Sequence, residues 1–165
     1  MIKIYSKPTS SNYLLEEYFP IKIHFGNYNE EALKNCIRID YDKSNALEML
    51  FDKNAQKEIV EINLLLTNKF EVINNNIIIP QNMDNGSISA TNSYKIKADI
   101  FKVNIYNNGV ELKFNNNPSE RSVLCGNVIF QFSEKLDINT IILTNISPEL
   151  HRHIITELKY EVEQN

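Results

Sequence analysis

Most of this chain alternates apolar and polar residues with a period of two. In Cys36-Ile37-Arg38-Ile39-Asp40-Tyr41-Asp42, Ile37, Ile39 and Tyr41 fall on one face and Arg38, Asp40 and Asp42 on the other. Leu47, Met49 and Phe51 resume an apolar face after a turn at Lys43-Ser44-Asn45. Val60, Ile62, Leu64 and Leu66 form a further stripe, opposed by Glu61 and Asn63. Strict alternation predicts strands with one face in a core and one in water. It also predicts antiparallel pairing, because strands of parallel sheets tend to be apolar on both faces.

The second half continues the theme. Ile96, Ala98 and Ile100 lie in one register and Phe101, Val103 and Ile105 in the other, which predicts a bulge or bend in one long strand. Asn108-Gly109 between two alternating runs predicts a hairpin. Val123-Leu124, Val128 to Phe132 and Ile138 to Leu143 supply further strands, and Phe70 to Pro80 reads as a hairpin turning at Asn74-Asn75-Asn76. Two segments read as helices. Ser147-Pro148-Glu149 offers an N-cap, a proline for the first helical position and an acid at the positive helix end. Leu150, Ile154, Leu158 and Val162 then recur every fourth residue, giving a stripe to pack on a sheet. A weaker helix is expected over Ser11 to Tyr18, ending before Pro20. The expected fold class is α+β: a mostly antiparallel, twisted β-sheet with a C-terminal α-helix packed on it.

No linker divides the chain, and residues 1–165 are expected to form a single globular domain, large enough to bury its own core. The polar stretch Gln81 to Ser93 reads as a long loop between two halves. A faint internal echo accompanies this division: Phe51-Asp52-Lys53 leads to Leu64-Leu65-Leu66-Thr67-Asn68, and Phe132-Ser133-Glu134-Lys135 leads to Ile141-Ile142-Leu143-Thr144-Asn145. The asparagine runs read as connections between strands, because Asn tolerates left-handed backbone and caps its own turns. The N-terminus, Met-Ile-Lys-Ile-Tyr-Ser-Lys-Pro, has no signal-peptide pattern, and no apolar run is long enough to cross a bilayer, so a cytoplasmic protein is expected.

Candidate chemistry is sparse. With 17 Lys+Arg against 21 Asp+Glu the net charge is -4, and Lys95, Lys97 and Lys102 make only a modest basic strip, so nucleic-acid binding is not expected. Gly26, Gly86, Gly109 and Gly126 are the only glycines, and they form no phosphate-binding loop. His151 and His153 stand two apart, the wrong spacing to chelate a metal from a helix. His24 stands alone on a strand. Asp40 and Asp42 on one strand could share a divalent ion, but a wet strand face explains them as well. Cys36 and Cys125 read as two buried thiols. No catalytic residue, metal or cofactor is expected. What remains is a sheet face bearing Arg38, Asp40, Asp42, Glu48, Glu61 and Asn63, mildly acidic and suited to a basic protein partner.

The stretch Ile37-Arg38-Ile39-Asp40-Tyr41-Asp42 … Leu47-Glu48-Met49-Leu50-Phe51-Asp52-Lys53 … Glu58-Ile59-Val60-Glu61-Ile62-Asn63-Leu64-Leu65-Leu66 resembles a pattern of bacterial polymorphic-toxin immunity proteins, including those of contact-dependent growth inhibition systems. The likeness spans residues 37–66. It implies a small cytoplasmic protein that binds a cognate toxin domain and occludes its active site, with no turnover and no cofactor. Many such toxins are basic. Asp40, Asp42, Glu48 and Glu61 are the candidate contacts on this expectation. The rival expectations are a small hydrolase or glycan-processing enzyme built on distant carboxylates, and a phage or secretion-system structural protein.

Overall fold

The computed structural model describes residues 1–54 and 57–164; the side chains of Leu66 and of residues 161–164, and so the Leu66 and Val162 ends of the predicted stripes, lie outside the described residues. The first half supplies β1 (Ile2–Tyr5), β2 (Ser11–Glu16), β3 (Phe19–Phe25), β4 (Lys34–Asp42), β5 (Asn45–Asp52) and β6 (Ile59–Leu66). Four short strands follow: β7 (Phe70–Ile73), β8 (Asp84–Asn85), β9 (Ser87–Ala90) and β10 (Tyr94–Lys97). The second half supplies β11 (Lys102–Tyr106), β12 (Gly109–Lys113), β13 (Arg121–Cys125), β14 (Val128–Phe132), β15 (Ile138–Leu143) and the helix α1 (Pro148–Gln164).

The α+β class holds, but the strands form two large sheets and a small ribbon instead of one sheet. A six-stranded sheet runs β10-β4-β5-β6-β3-β2, a seven-stranded sheet runs β7-β11-β12-β15-β14-β13-β8, and β1 pairs with β9. The apolar faces of both large sheets merge into one core. Ile21, Ile23, Ile37, Ile39, Leu47, Met49 and Ile62 meet Val103, Ile105, Leu112, Phe130, Ile141 and Leu143 there. Phe25 of β3 and Phe130 of β14 approach across the layers with ring centroids 6.3 Å apart. Alternation along each strand is therefore the signature of a two-layer β-sandwich.

The echo in the sequence lands on equivalent places in the two sheets. β2 to β6 pair antiparallel in the order β4-β5-β6-β3-β2, and β11 to β15 pair antiparallel in the matching order β13-β14-β15-β12-β11. The fourth strand of each unit carries a register shift at its phenylalanine, Leu50/Phe51 in one and Gln131/Phe132 in the other. Each unit is also fastened by an Asn, a Thr and an Asn at the same corner. Asn45 Oδ1 accepts from Thr67 Oγ1 at 2.8 Å, and Asn45 Nδ2 donates to Asn68 Oδ1 at 3.0 Å. In the second unit Thr144 Oγ1 donates to Asn127 O at 2.9 Å, and Asn145 Nδ2 donates to Asn127 Oδ1 at 2.8 Å.

Antiparallel pairs dominate, yet three pairs are parallel: β10 on β4, β7 on β11 and β8 on β13. All three add a short strand to the edge of a five-stranded unit. Strands of two to four residues carry too little alternation to declare themselves or their direction in the sequence.

Several local expectations are corrected. Ser11 to Tyr18 is not helical: Ser11–Glu16 is β2, paired antiparallel with β3. Pro20 follows the turn, beside the register shift of that pair, where its missing N–H costs no ladder bond. The face change at Ile100-Phe101 is no bulge in one strand; it is the passage of the chain from β10 in one sheet to β11 in the other. Gln81 to Ser93 is not a plain loop, since it holds β8 and the fully buried β9, whose Ala90 N donates to Lys57 O. Phe70 to Pro80 is not a hairpin. After β7 the chain crosses the outer face of the seven-stranded sheet to reach β8 at the opposite edge. Ile77 packs there on Ile129 and Ile142, and Asn107 N donates to Asn75 O at 3.0 Å. Gly109 makes the crossing possible: a Cβ at that position would stand 2.8 Å from Ile77 Cγ2 and 2.7 Å from Leu143 O.

The C-terminal helix forms as its sequence predicts. Ser147 Oγ accepts from Leu150 N at 3.1 Å, closing the N-cap. Leu150, Ile154 and Leu158 are buried, and the helix lies against β3 and β2.

Candidate functional site

The outer face of the six-stranded sheet gathers most of the polar residues that the sequence singled out. Pairing sets Arg38 opposite Glu48, Glu48 opposite Asn63, and Asn63 opposite Lys22. One step along the strands, Glu61 stands opposite both Leu50 and His24. In-register partners share a face of a sheet, so these side chains form one surface.

Arg38 is the hub at one end of this face. Its Nε donates to Asp40 Oδ1 at 2.6 Å and its Nη1 to Glu48 Oε1 at 3.2 Å. The hydrogen bond to Asp40, helped by the charges of both carboxylates, raises the guanidinium pKa further above its ordinary value. β10 adds Lys95 opposite Arg38 and Lys97 opposite Asp40. Lys22 pairs with Glu16 at 2.8 Å. The face is therefore a mosaic of both signs, more balanced than the acids alone suggest, because a parallel edge strand brings lysines to it.

Asp42 lies apart. A register shift separates it from Asp40, and Asp42 Oδ1 accepts from Ser44 N at 2.9 Å and Asn45 Nδ2 at 2.7 Å. These bonds, that of Asn45 first, lower its pKa. Asp40 and Asp42 are thus engaged by different partners, the first by an arginine and the second by its own turn.

Glu61 is the least expected member. It is only 4% exposed although it sits on the polar face. Its Oε1 accepts from Asn63 Nδ2 at 2.5 Å, and its Oε2 lies 3.5 Å from His24 Nε2. Tyr28, from the segment joining β3 to β4, stacks on His24 with centroids 3.6 Å apart, and the Glu61 carboxylate acts on its hydroxyl. Lys34 Nζ stands 4.9 Å above the Tyr28 ring. Desolvation lowers the His24 pKa, and the Glu61 charge only partly offsets it. Burial, then the Glu61 carboxylate, raises that of Tyr28. Nothing in the order of residues brings these groups together. β3 adjoins β6 by topology, so His24 finds Glu61, 37 positions further along the chain, only once the strand order is known.

The other flagged residues are dispersed. His153 Nε2 lies 3.2 Å from Phe19 O, holding the helix to the start of β3. Lys102 pairs with Glu71 at 3.2 Å. Cys36 and Cys125 are free thiols, the first half-buried and the second buried with Sγ 3.1 Å from Gly86 O. Burial pushes Cys36 to about 11 and Cys125 to about 12. Among the described residues no group of three or more His, Cys, Asp or Glu is placed to hold a metal ion, and no helix is long and apolar enough to cross a membrane. A cavity of about 360 Å³ is lined in part by Lys7, Asp52 and Glu58. Its carboxylates are engaged: Glu58 by Lys7 at 3.6 Å and Ser87 Oγ at 3.3 Å, and Asp52 by Asn54 N at 2.7 Å. Compared with protein-family models and with curated proteins, the chain has no match.

Proposed function

We propose that this protein acts by stoichiometric binding: it holds a cognate toxin domain against the outer face of its six-stranded sheet and blocks that domain's substrate cleft, as the resemblance over residues 37–66 implies. The observation that supports this most is the fixed charge mosaic around Arg38. Asp40 and Glu48 hold the guanidinium from two adjacent strands at 2.6 and 3.2 Å, so the face is ordered before any partner arrives. A preordered polar surface loses less side-chain freedom on association, and a patch of about 800 Å² is what a stable complex requires. Asp40 and Glu48 are the contacts of choice. Asp42 lies at the rim, and Glu61 supports the face from beneath it.

The test is co-expression with the protein encoded beside this one, with growth and complex formation as readouts. The expected result is a one-to-one complex on size exclusion and rescue of growth, with both lost in Asp40→Lys/Glu48→Lys while the far-UV spectrum stays unchanged and unfolding stays cooperative. Rescue that survives the double reversal removes this face from the interface. No complex and no rescue by the native chain refutes the binding reading itself. Turnover of a substrate by the purified chain would favour the hydrolase alternative, with the Asp52 and Glu58 cavity as its place.

A further inference from the structure

The two five-stranded units have four outer edges. Three of them receive an extra strand from this chain, and all three extra strands run parallel to the strand they join: β10 on β4, β8 on β13 and β7 on β11. The fourth edge is β2, the counterpart of β11, and it is the terminal strand of its sheet. In the second unit Val103 N donates to Lys69 O at 2.9 Å, at the start of the added strand β7. Following the pairing inward from the matched corners, Leu15 takes in β2 the place that Val103 has in β11.

The main chain of β2 is ready for the same use. Gly26 N donates to Ser10 O at 3.0 Å, which sets the alternation of the β2–β3 ladder. Asn12 and Leu14 then face β3, and Tyr13 and Leu15 turn their N–H and C=O groups outward, while Ser11, next in that alternation, is buried with its N beneath Gly126. Among the described residues, no main-chain or side-chain group bonds to the main chain of Tyr13 or Leu15 from that side. The helix α1 follows β15 as β7 follows β6, yet it lies mainly against β3 and leaves this edge open. Between β2 and the start of the helix runs an open groove of about 340 Å³, with Leu15 and Glu149 among the residues lining it. Leu15 is 47% exposed, and Tyr18, at the end of the strand, is 71% exposed and held in left-handed backbone at φ 68°.

We propose that the open edge of β2 receives an extended segment of a protein partner as an added strand, parallel to β2, with an apolar residue opposite Leu15. An exposed edge is a template for strand addition, in which main-chain bonds give affinity and alternate side chains give selectivity. The sense of the three strands already added argues for a partner segment over a second copy of this chain, since two copies related by a two-fold axis would pair β2 with β2 antiparallel. The apolar requirement follows from Phe70, which pairs with Val103 in the equivalent place. The proposal rests on the protein-binding reading above and adds where, and in what form, the partner is held.

The test uses the full chain and a displayed library of random dodecapeptides, with titration of a synthetic peptide from the enriched set. Leu15→Pro deletes the outward donor without removing a bond to β3, a placement that edge strands tolerate. Leu15→Ala keeps the donor and trims only the side chain. The expected result is a Kd raised at least about tenfold by Leu15→Pro and less by Leu15→Ala. Amide exchange at Tyr13 and Leu15 should slow on binding, and a spin label at the peptide N-terminus should broaden signals near Ser11 and spare those near Tyr18. No enriched peptide, peptides indifferent to Leu15→Pro, an antiparallel orientation, or a self-associating chain with β2 protected would each overturn it. A co-expressed partner that still binds Leu15→Pro sinks the edge inference alone, whereas loss of all partner binding by the native chain sinks the binding reading.

Discussion

Glu61 and Asp40 look alike in the sequence, as acids on the polar side of alternating strands, yet the structure makes their removal differ severalfold in cost. Glu61→Ala leaves Asn63 Nδ2 without the acceptor it now has at 2.5 Å, in a residue only 7% exposed. An orphaned buried donor costs about 1–3 kcal/mol. The lost methylene adds about 0.8 kcal/mol. Tyr28 is partly exposed and turns to water at little cost, whereas His24 Nε2, buried and without a hydrogen bond, loses only its contact with Glu61 Oε2 at 3.5 Å. Relief of the buried carboxylate's own desolvation works in the opposite direction. The expected loss is about 2–3 kcal/mol, a large share of the roughly 5–15 kcal/mol that holds a domain folded. Asp40→Ala and Glu48→Ala each break a partly exposed ion pair to Arg38, worth about 0–1 kcal/mol. Urea unfolding followed by far-UV circular dichroism at neutral pH, with the slope compared between variants, measures all three. Glu61→Gln retains an oxygen acceptor for Asn63 and should recover most of the loss. A Glu61→Ala midpoint indistinguishable from that of the native chain, or an Asp40→Ala cost equal to it, would refute the assignment of Glu61 as a buried support and return it to the contact surface.

Three further outcomes follow from the same geometry. Because desolvation lowers the His24 pKa below its ordinary 6.5, the folded chain binds that proton less readily than the unfolded one, so its contribution to stability is present above 6.5 and is lost as the pH falls through 6.5 and below. Melting temperatures at pH 7.5 and 5.5 should diverge more for the native chain than for His24→Gln, and parallel profiles would contradict this. Burial that moves Cys36 from 9.0 to about 11 cuts its thiolate fraction about 100-fold, so iodoacetamide should label it about 100-fold more slowly than a free thiol at pH 8; labelling at the free rate would show an open site. Gly109→Ala forces a methyl against Leu143 O and Ile77, should cost about 1–3 kcal/mol by overpacking, and should speed proteolysis within residues 76–82 before global unfolding. Unchanged cleavage there would mean that Gly109 does not seat the crossing segment.

The long strands and the helix were legible because each carries its own evidence. β4, β5 and β6 span eight or nine residues of alternation, and α1 has a cap, a proline and three stripe positions within twelve residues. What the sequence concealed depends on neighbours distant in the chain. The reversal of faces at Ile100-Phe101 has the same local pattern whether a strand bulges or the chain changes sheets, and only the partners, Asp40 for Ala98 on one hand and Phe114 for Ile100 on the other, decide it. Ser11 to Glu16 places Leu14 beside Leu15, which blurs the period of two and mimics a short helix, and pairing with β3 overrides that weak preference. The polar face was readable as a face, but its charge was not, since β10 delivers Lys95 and Lys97 from 57 positions downstream. The asparagine runs lie where their turn-forming character places them, since residues 74–76, 107–108 and 115–117 all fall between strands. What the sequence did not reveal is that Asn35, Asn45, Asn63, Asn104, Asn115 and Asn139 are buried, with amides that bond to main-chain carbonyls or to neighbouring side chains.

The open edge of β2 traces to a fork between two otherwise matching corners. Thr67-Asn68 is followed by Lys69-Phe70-Glu71-Val72-Ile73, with aromatic and β-branched residues that favour extended chain, and this segment becomes the strand that closes β11. Thr144-Asn145 is followed by Ile146-Ser147-Pro148-Glu149, in which Ser147 caps the first turn and Pro148 presets its φ, so the chain coils where its counterpart extends. A helix satisfies its own main-chain groups and has none to offer a neighbouring strand along its length. It can bury Leu150, Ile154 and Leu158 against β3 and β2, which recovers the apolar contact a strand would have made, but it cannot take up the N–H of Leu15. Asn145, at φ 55°, sits at the branch itself, turning the chain out of β15 through backbone that asparagine adopts more readily than most residues. The same corner, built twice, thus yields one closed edge and one open edge, and the difference lies in the residues that follow it.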